Sequence, residues 1–210
     1  MSSKSPQWGM IGVFLLMLAW IGLWGAWIPA RTVGLTQNAL YLAEWSTILP
    51  ESRFGGMAYL AEVLRLSIAL AVVALAISVG VLKNPLTRWA IRMVACLPGL
   101  VILPPYPELL NLWRSASYGT RFVVAVVLFA GVLATALTDL LPARFQRWLV
   151  SGLSLVAAGL AIWAFFSLRV PFEARYTGVL VPGWGFDVFV GGLMVAGVTQ
   201  IADLLHISSQ

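Results

Sequence analysis

This chain has few side chains that do chemistry. Its 210 residues include one His, His206, and one Cys, Cys96. A single Cys excludes an internal disulfide. One His and one Cys are too few for a zinc or iron–sulfur site held by this chain alone, and bis-His haem ligation within the chain is excluded too. Charged residues make up only 10% of the sequence, against about 25% in an ordinary soluble domain. There is no room in that composition for an attached soluble domain. The text contains no His-Glu-x-x-His metal motif and no Gly-rich phosphate loop. Val150-Ser-Gly-Leu-Ser154 does not supply the Gly-x-Ser-Gly nucleophile of intramembrane serine proteolysis. No cofactor, metal or catalytic residue is predicted from this chain, and it reads as a protein other than an enzyme.

What the chain does have is apolar length. Hydrophobic residues are 60% of it, and they come in blocks rather than amphipathic stripes. A block of about 20 apolar residues crosses a hydrocarbon core of roughly 30 Å. The sequence therefore predicts one all-α integral membrane domain over 1–210, a polytopic transmembrane helical bundle. Spans are expected at about 10–29, 59–82, 89–105, 122–141, 148–168 and 184–205. Trp8, Trp27, Trp89, Trp148 and Trp184 stand at block edges, where an amphipathic ring suits the headgroup layer. The net charge of +5 arises from basic residues scattered singly between blocks, a pattern of membrane anchoring and not of nucleic-acid binding. The run from Gly9 to Ala30 is longer than a signal-peptide core and reads as a retained first span.

The third span is short. It reaches a spanning length only if it starts at Trp89 with Arg92 snorkelling to the interface, and Pro98-Gly99 should kink it. The alternative is five spans with this segment re-entrant. With six spans and a cytoplasmic N-terminus, Lys4, Lys83, Arg88, Arg92, Arg144 and Arg147 lie inside. Arg31, Arg53, Arg114, Arg121, Arg169 and Arg175 then lie outside, so no charge bias results. Five spans restore a positive-inside bias. A faint repeat argues for six. Pro85 to Trp89 and Pro142 to Trp148 each open a segment that ends in a Pro-aromatic-Glu exit. The two segments then share an orientation. After span 1, Thr36 is expected to cap a short helix running to about Leu49. Leu35, Leu42, Trp45 and Leu49 share its apolar face; Gln37, Tyr41 and Glu44 lie away from it. It reads as an interfacial helix or as a helix packed on the bundle.

Few charges lie within or near the blocks. Glu62 and Arg65 are three residues apart and neighbour each other on a helix. Arg65 sits about 10 Å below the start of its span, where ionisable groups have partners. Asp187 lies at a similar depth from the same side. A Glu62–Arg65–Asp187 cluster is expected, either as a site for a polar ligand or ion or as a structural salt bridge. Asp139, Gln200 and Asp203 form a second polar patch at the other membrane side, open to neutralisation by Arg88, Arg144 or Arg147. Gly192/Ala196, Ser154/Ala158 and Ala157/Ala161 are small-xxx-small pairs for close helix packing, within the chain or with partners. Three loops rich in Pro and aromatics, Pro50–Arg53, Pro104–Glu108 and Val181–Trp184, are expected on one face as a docking surface or as interface anchors.

From these features the leading expectation is an integral membrane subunit or accessory protein of a larger transport or energy-transducing complex. Membrane lipid and partner subunits are its expected company, in a bacterial-type plasma membrane. The alternative is a small-solute transport component with its ligand near Arg65.

Overall fold

The computed structural model describes residues 5–29, 36–48, 57, 59–110, 116–176 and 180–208, without the side chains of 5–7, 116–117, 175–176 and 206–208. The described residues are helical, in the order α1 (Ser5–Trp24), α2 (Ala39–Ser46), α3 (Leu60–Ser78), α4 (Pro85–Ala95), α5 (Leu97–Ile102), α6 (Ala116–Thr138), α7 (Ala143–Tyr176) and α8 (Trp184–Ser208). A 3-10 turn, Val79–Val81, prolongs α3. Five stretches are long and apolar enough to cross a membrane: Leu60–Val81, Pro85–Ile102, Tyr118–Thr138, Ala143–Ala174 and Trp184–Leu205. Trp8–Trp24 is a shorter apolar helix.

Helix α3 is the centre of the bundle. It packs on α7 and α6 and more lightly on α1, α2 and α4, and 67% of its span is buried. Small side chains make that possible. Ala71, Ala74 and Ala76 are buried on it, and Ser67 Oγ donates to the Ala157 carbonyl of α7 at 2.8 Å. Ala157, Ala158 and Ala161 of α7 are buried at the same seam. Helix α1 runs antiparallel to α8 along its length. Gly192 of α8 is so near α1 that a Cβ there would come within 2.9 Å of the Leu15 carbonyl oxygen. The small-residue pairs legible in the sequence thus serve packing within the chain. Close approach of backbones maximises dispersion contact where no hydrophobic drive separates helix from lipid.

Span 1 ends earlier than expected, at Trp24 instead of residue 29. Gly25 lies against the Trp184 ring, and the chain turns there. The Trp27 and Ile28 N–H groups both donate to the Gln37 carbonyl, and Gln37 N–H donates to Ile28. Trp27 is therefore not an interface residue. It is fully buried, donates its indole N–H to the Gly22 carbonyl at 3.1 Å, and packs on Phe165, Phe186 and Phe189. Trp8, Trp89, Trp148 and Trp184 are exposed, as block-edge residues should be.

The predicted kink is present: the third apolar segment is split into α4 and α5 at Cys96. Pro98 has no N–H for the helix ladder, and Gly99 lies against Phe129 and Leu128 of α6. The segment starts earlier than residue 89 because Asn84 caps it. The Asn84 side chain accepts from the N–H groups of Leu86 and Thr87, and Pro85 holds the first helical position. Across the break, α4 and α5 together run antiparallel to α6, from the Asp139 end of the bundle to the Arg121 end. Helix α7 continues past residue 168 and through Pro171 to Tyr176. Buried Phe172 and the Arg169–Glu173 pair, 2.7 Å, hold its last turns.

The short helix begins at Ala39, capped by Asn38, whose side chain accepts from the Tyr41 N–H at 2.9 Å. Thr36 is not the cap. Ala39, Leu42 and Ala43 are buried against the bundle, Gln37 is buried too, and Trp45 is exposed. The expected faces are thus only partly right; Leu35 and Leu49 lie outside the described residues.

A cavity between two buried arginines

Two groups of charges occupy opposite ends of the bundle. At one end, Arg92 of α4 is 1% exposed. Its Nε donates to the Ala76 carbonyl at 3.0 Å and its Nη2 to the Thr135 carbonyl at 3.2 Å. Those carbonyls lie in the last turns of α3 and α6, where the ladder leaves oxygens short of partners; the Thr135 carbonyl also accepts from Thr138 Oγ1 at 2.7 Å. The guanidinium also grips Asp139 with both outer nitrogens, at 2.8 and 3.2 Å. Arg88 adds a contact to Asp139 at 3.1 Å. A cation here also favours the negative ends of two helix dipoles. Gly80 leaves room for the carboxylate, since a Cβ there would come within 2.9 Å of Asp139 Oδ1.

Asp203 of α8 pairs with Arg147 of α7 at the same end. The expected patch of Asp139, Gln200 and Asp203 is thus divided. Asp139 pairs with Arg88 and Arg92 of α4, and Asp203 with Arg147 of α7. Gln200, buried, lies against Gly12 of α1. A cavity of about 220 Å³ at this end is lined by Gln146, Arg147 and Gln200. Arg144 is exposed and takes no part in an ion pair among the described residues.

At the other end, Glu62 and Arg65 meet as their spacing predicts, with Arg65 Nη1 2.6 Å from Glu62 Oε1. Asp187 does not join them. It is exposed in the first turn of α8. There a carboxylate faces the positive end of the helix dipole. Its place is taken by Glu44 and Arg121. Glu44 of α2 accepts from Arg65 Nη2 at 3.3 Å. Arg121 of α6 reaches the same carboxylate through Nη1 at 3.0 Å. Nothing local announced this meeting: Glu44 and Arg121 are 77 residues apart. Asp139 and Asp187, at opposite ends of the bundle, cannot act as an aspartyl pair.

Arg121 is held as Arg92 is, by the end of a helix. Its Nε donates to the Ile102 carbonyl at 3.2 Å and its Nη2 approaches the Leu103 carbonyl at 3.5 Å. Arg65 is 2% and Arg121 8% exposed, whereas the Glu44 side chain is 46% exposed. The second oxygen of Glu62 is buried with no hydrogen-bond partner among the described residues.

Beside these groups is a cavity of about 480 Å³, lined by Glu44, Arg65, Arg121, Asn38, Tyr41 and a largely apolar wall from Trp24, Leu40 and residues 100–105. That volume is in the range of small-molecule sites, roughly 300–1,000 Å³. Few polar groups converge on it, and two of them are cations, Arg65 held by Glu62 and Arg121 held by the end of α5.

The other expected features fall into place around these two groups. Val181–Trp184 docks within the chain: the Gly183 N–H donates to the Trp27 carbonyl at 2.8 Å and the Gly185 N–H to the Ala26 carbonyl at 2.9 Å. Pro104 is buried and lines the cavity, and Pro105 to Pro107 are exposed. Pro50–Arg53 and the side chain of His206 lie outside the described residues. Among the described residues no group of three His, Cys, Asp or Glu could hold a metal ion. No protein-family model matches the chain, and no curated protein or solved structure is detectably similar to it.

Proposed function

We propose that this chain is a membrane-embedded transport component that binds a small solute in the cavity where α2, α3, α5 and α6 meet. One observation carries the reading: a cavity of about 480 Å³ has two almost fully buried guanidinium groups in its wall. Buried cations cost several kcal/mol in desolvation, and placing two of them at an open cavity favours a ligand role beside their structural one. Six spans suit this architecture, with α1 counted because it pairs with α8 along its length. The α4–α5 segment counts because it follows α6 from one end to the other. The N-terminus lies at the Asp139 end, where Gly9 lies against Val81, and we place that end on the cytoplasmic side of a bacterial-type plasma membrane.

A thermal-shift screen of small metabolites on the detergent-purified chain tests the reading. Solutes that stabilise the wild type should lose their effect in Val101→Trp, which fills the cavity rim without changing charge. A screen without any such solute sinks the proposal.

A second reading is an accessory subunit of a larger transport or energy-transducing complex. The outward sides of α4–α5 and α6 favour it, since only 28% of each of those spans is buried. Native mass spectrometry from mild detergent separates the readings: a stable companion subunit and no solute binding would leave only the second.

A further inference from the structure

The two arginines at the cavity are held differently from the carboxylate between them. Glu62 fixes Arg65 from one side through Nη1 at 2.6 Å. The end of α5 fixes Arg121 through Nε, with Nη2 beside the Leu103 carbonyl. Nη2 of Arg65 and Nη1 of Arg121 are both turned on Glu44. Two preorganised donors from separate helices converge on one carboxylate. The donors are buried; the acceptor, on a helix of eight residues, is half-exposed. Among these four groups Glu44 has the least to lose by turning into water. Preorganised donors also spare a ligand the entropy of ordering them.

We propose that the cavity takes a small carboxylic acid, whose carboxylate replaces that of Glu44 between Arg65 and Arg121. Its apolar body lies along Leu40, Leu100, Val101 and Leu103. Glu44 is then an internal competitor, a tethered copy of the ligand's own group. It keeps the paired cations neutralised while the cavity is empty. This inference rests on the solute-binding reading and gives that site its ligand class. It carries an unusual consequence: removing an acidic side chain should strengthen binding.

Calorimetric titration of the full chain in neutral detergent tests this, with hexanoate as probe, hexanol as its uncharged counterpart, and wild type, Glu44→Gln and Val101→Trp proteins. Glu44→Gln keeps the shape of the side chain and removes its charge. Hexanoate should bind Glu44→Gln about fivefold more tightly than wild type, equivalent to just under 1 kcal/mol. Hexanol should bind neither protein measurably, and Val101→Trp should abolish hexanoate binding. Equal hexanoate affinity in wild type and Glu44→Gln, with Val101→Trp still blocking it, overturns the competitor role and leaves solute binding standing. Hexanol binding as tight as hexanoate overturns the carboxylate assignment. Absence of binding in every protein overturns this inference, while the metabolite screen decides the broader reading separately. A repeat in phosphatidylcholine nanodiscs, with and without phosphatidylglycerol, identifies the source. Binding unaffected by the anionic lipid supports a free solute; competition by it overturns the solute in favour of a headgroup.

Discussion

The arginine groups at the two ends of the bundle use the same chemistry to different ends. Around Arg92 the guanidinium is spent on protein. Two helix ends and a bidentate carboxylate take its donors, and it lines neither of the two cavities described. Around Arg65 and Arg121 the cations are equally buried, but their shared partner is half in water and a cavity adjoins them. Both groups satisfy helix-terminal carbonyls, so both contribute to the fold. Only one has a half-exposed partner at a cavity. Burial of a charge therefore does not by itself mark a site; what distinguishes one is a partner that can leave.

That contrast can be broken by substitution. The largest effect is expected from Arg92→Leu. It removes a donor from carbonyls at two helix ends and leaves Asp139 with Arg88 alone, a loss of about 3–5 kcal/mol by the cost of breaking a buried pair. The single, buried Cys96 provides the measurement, because a thiol-reactive dye reports its exposure on heating. A variant as stable as wild type would show that Arg92 is not the closed counterpart described.

Asp139→Asn should cost less, about 2 kcal/mol, since Arg92 keeps both carbonyls. The same dye assay gives the value, and a loss equal to that of Arg92→Leu would mean that the carboxylate, rather than the carbonyls, carries the interaction.

Glu44→Gln should cost under about 1 kcal/mol, as expected for a pair whose acceptor is half-exposed. Its melting temperature should be nearly that of wild type. Destabilisation matching Asp139→Asn would put both groups in the same structural class and remove the contrast.

The smallest change is expected for Arg169→Ala. Its pair with Glu173 is partly exposed on one helix, and such exposed pairs contribute little to stability. Glu173 keeps the Leu180 N–H, 2.7 Å away. A shift larger than that of Glu44→Gln would show that the end of α7 depends on this pair for more than a surface contact.

Several features were legible residue by residue. Glu62 and Arg65 meet because three residues is nearly one helical turn, a purely local rule. The break before Pro98 follows from a missing N–H. Trp8, Trp89, Trp148 and Trp184 are exposed at helix ends, as their positions implied. Trp27 misled because its place at a block edge resembles theirs. A chain turn at Gly25 carries it inside against three Phe rings, and a turn of that kind leaves no periodic signal. Asp187 misled for a different reason. Its depth matched that of Arg65, but depth along the bundle says nothing about rotation around a helix axis.

The sequence by itself determined a helical protein built from apolar blocks, because a backbone away from water must satisfy its own hydrogen bonds and a helix does so within one segment. It also determined the break at Pro98 and the pairing of Glu62 with Arg65 within a turn. The tertiary structure alone decided which charges share a site. Glu44, Arg65 and Arg121 come from three helices, and Arg92 meets Asp139 across 47 residues. Their convergence depends on how each helix is rotated and how far it slides against its neighbours. Those two quantities are set by the packing of small residues such as Ala157 and Gly192, and no spacing along a single helix encodes them.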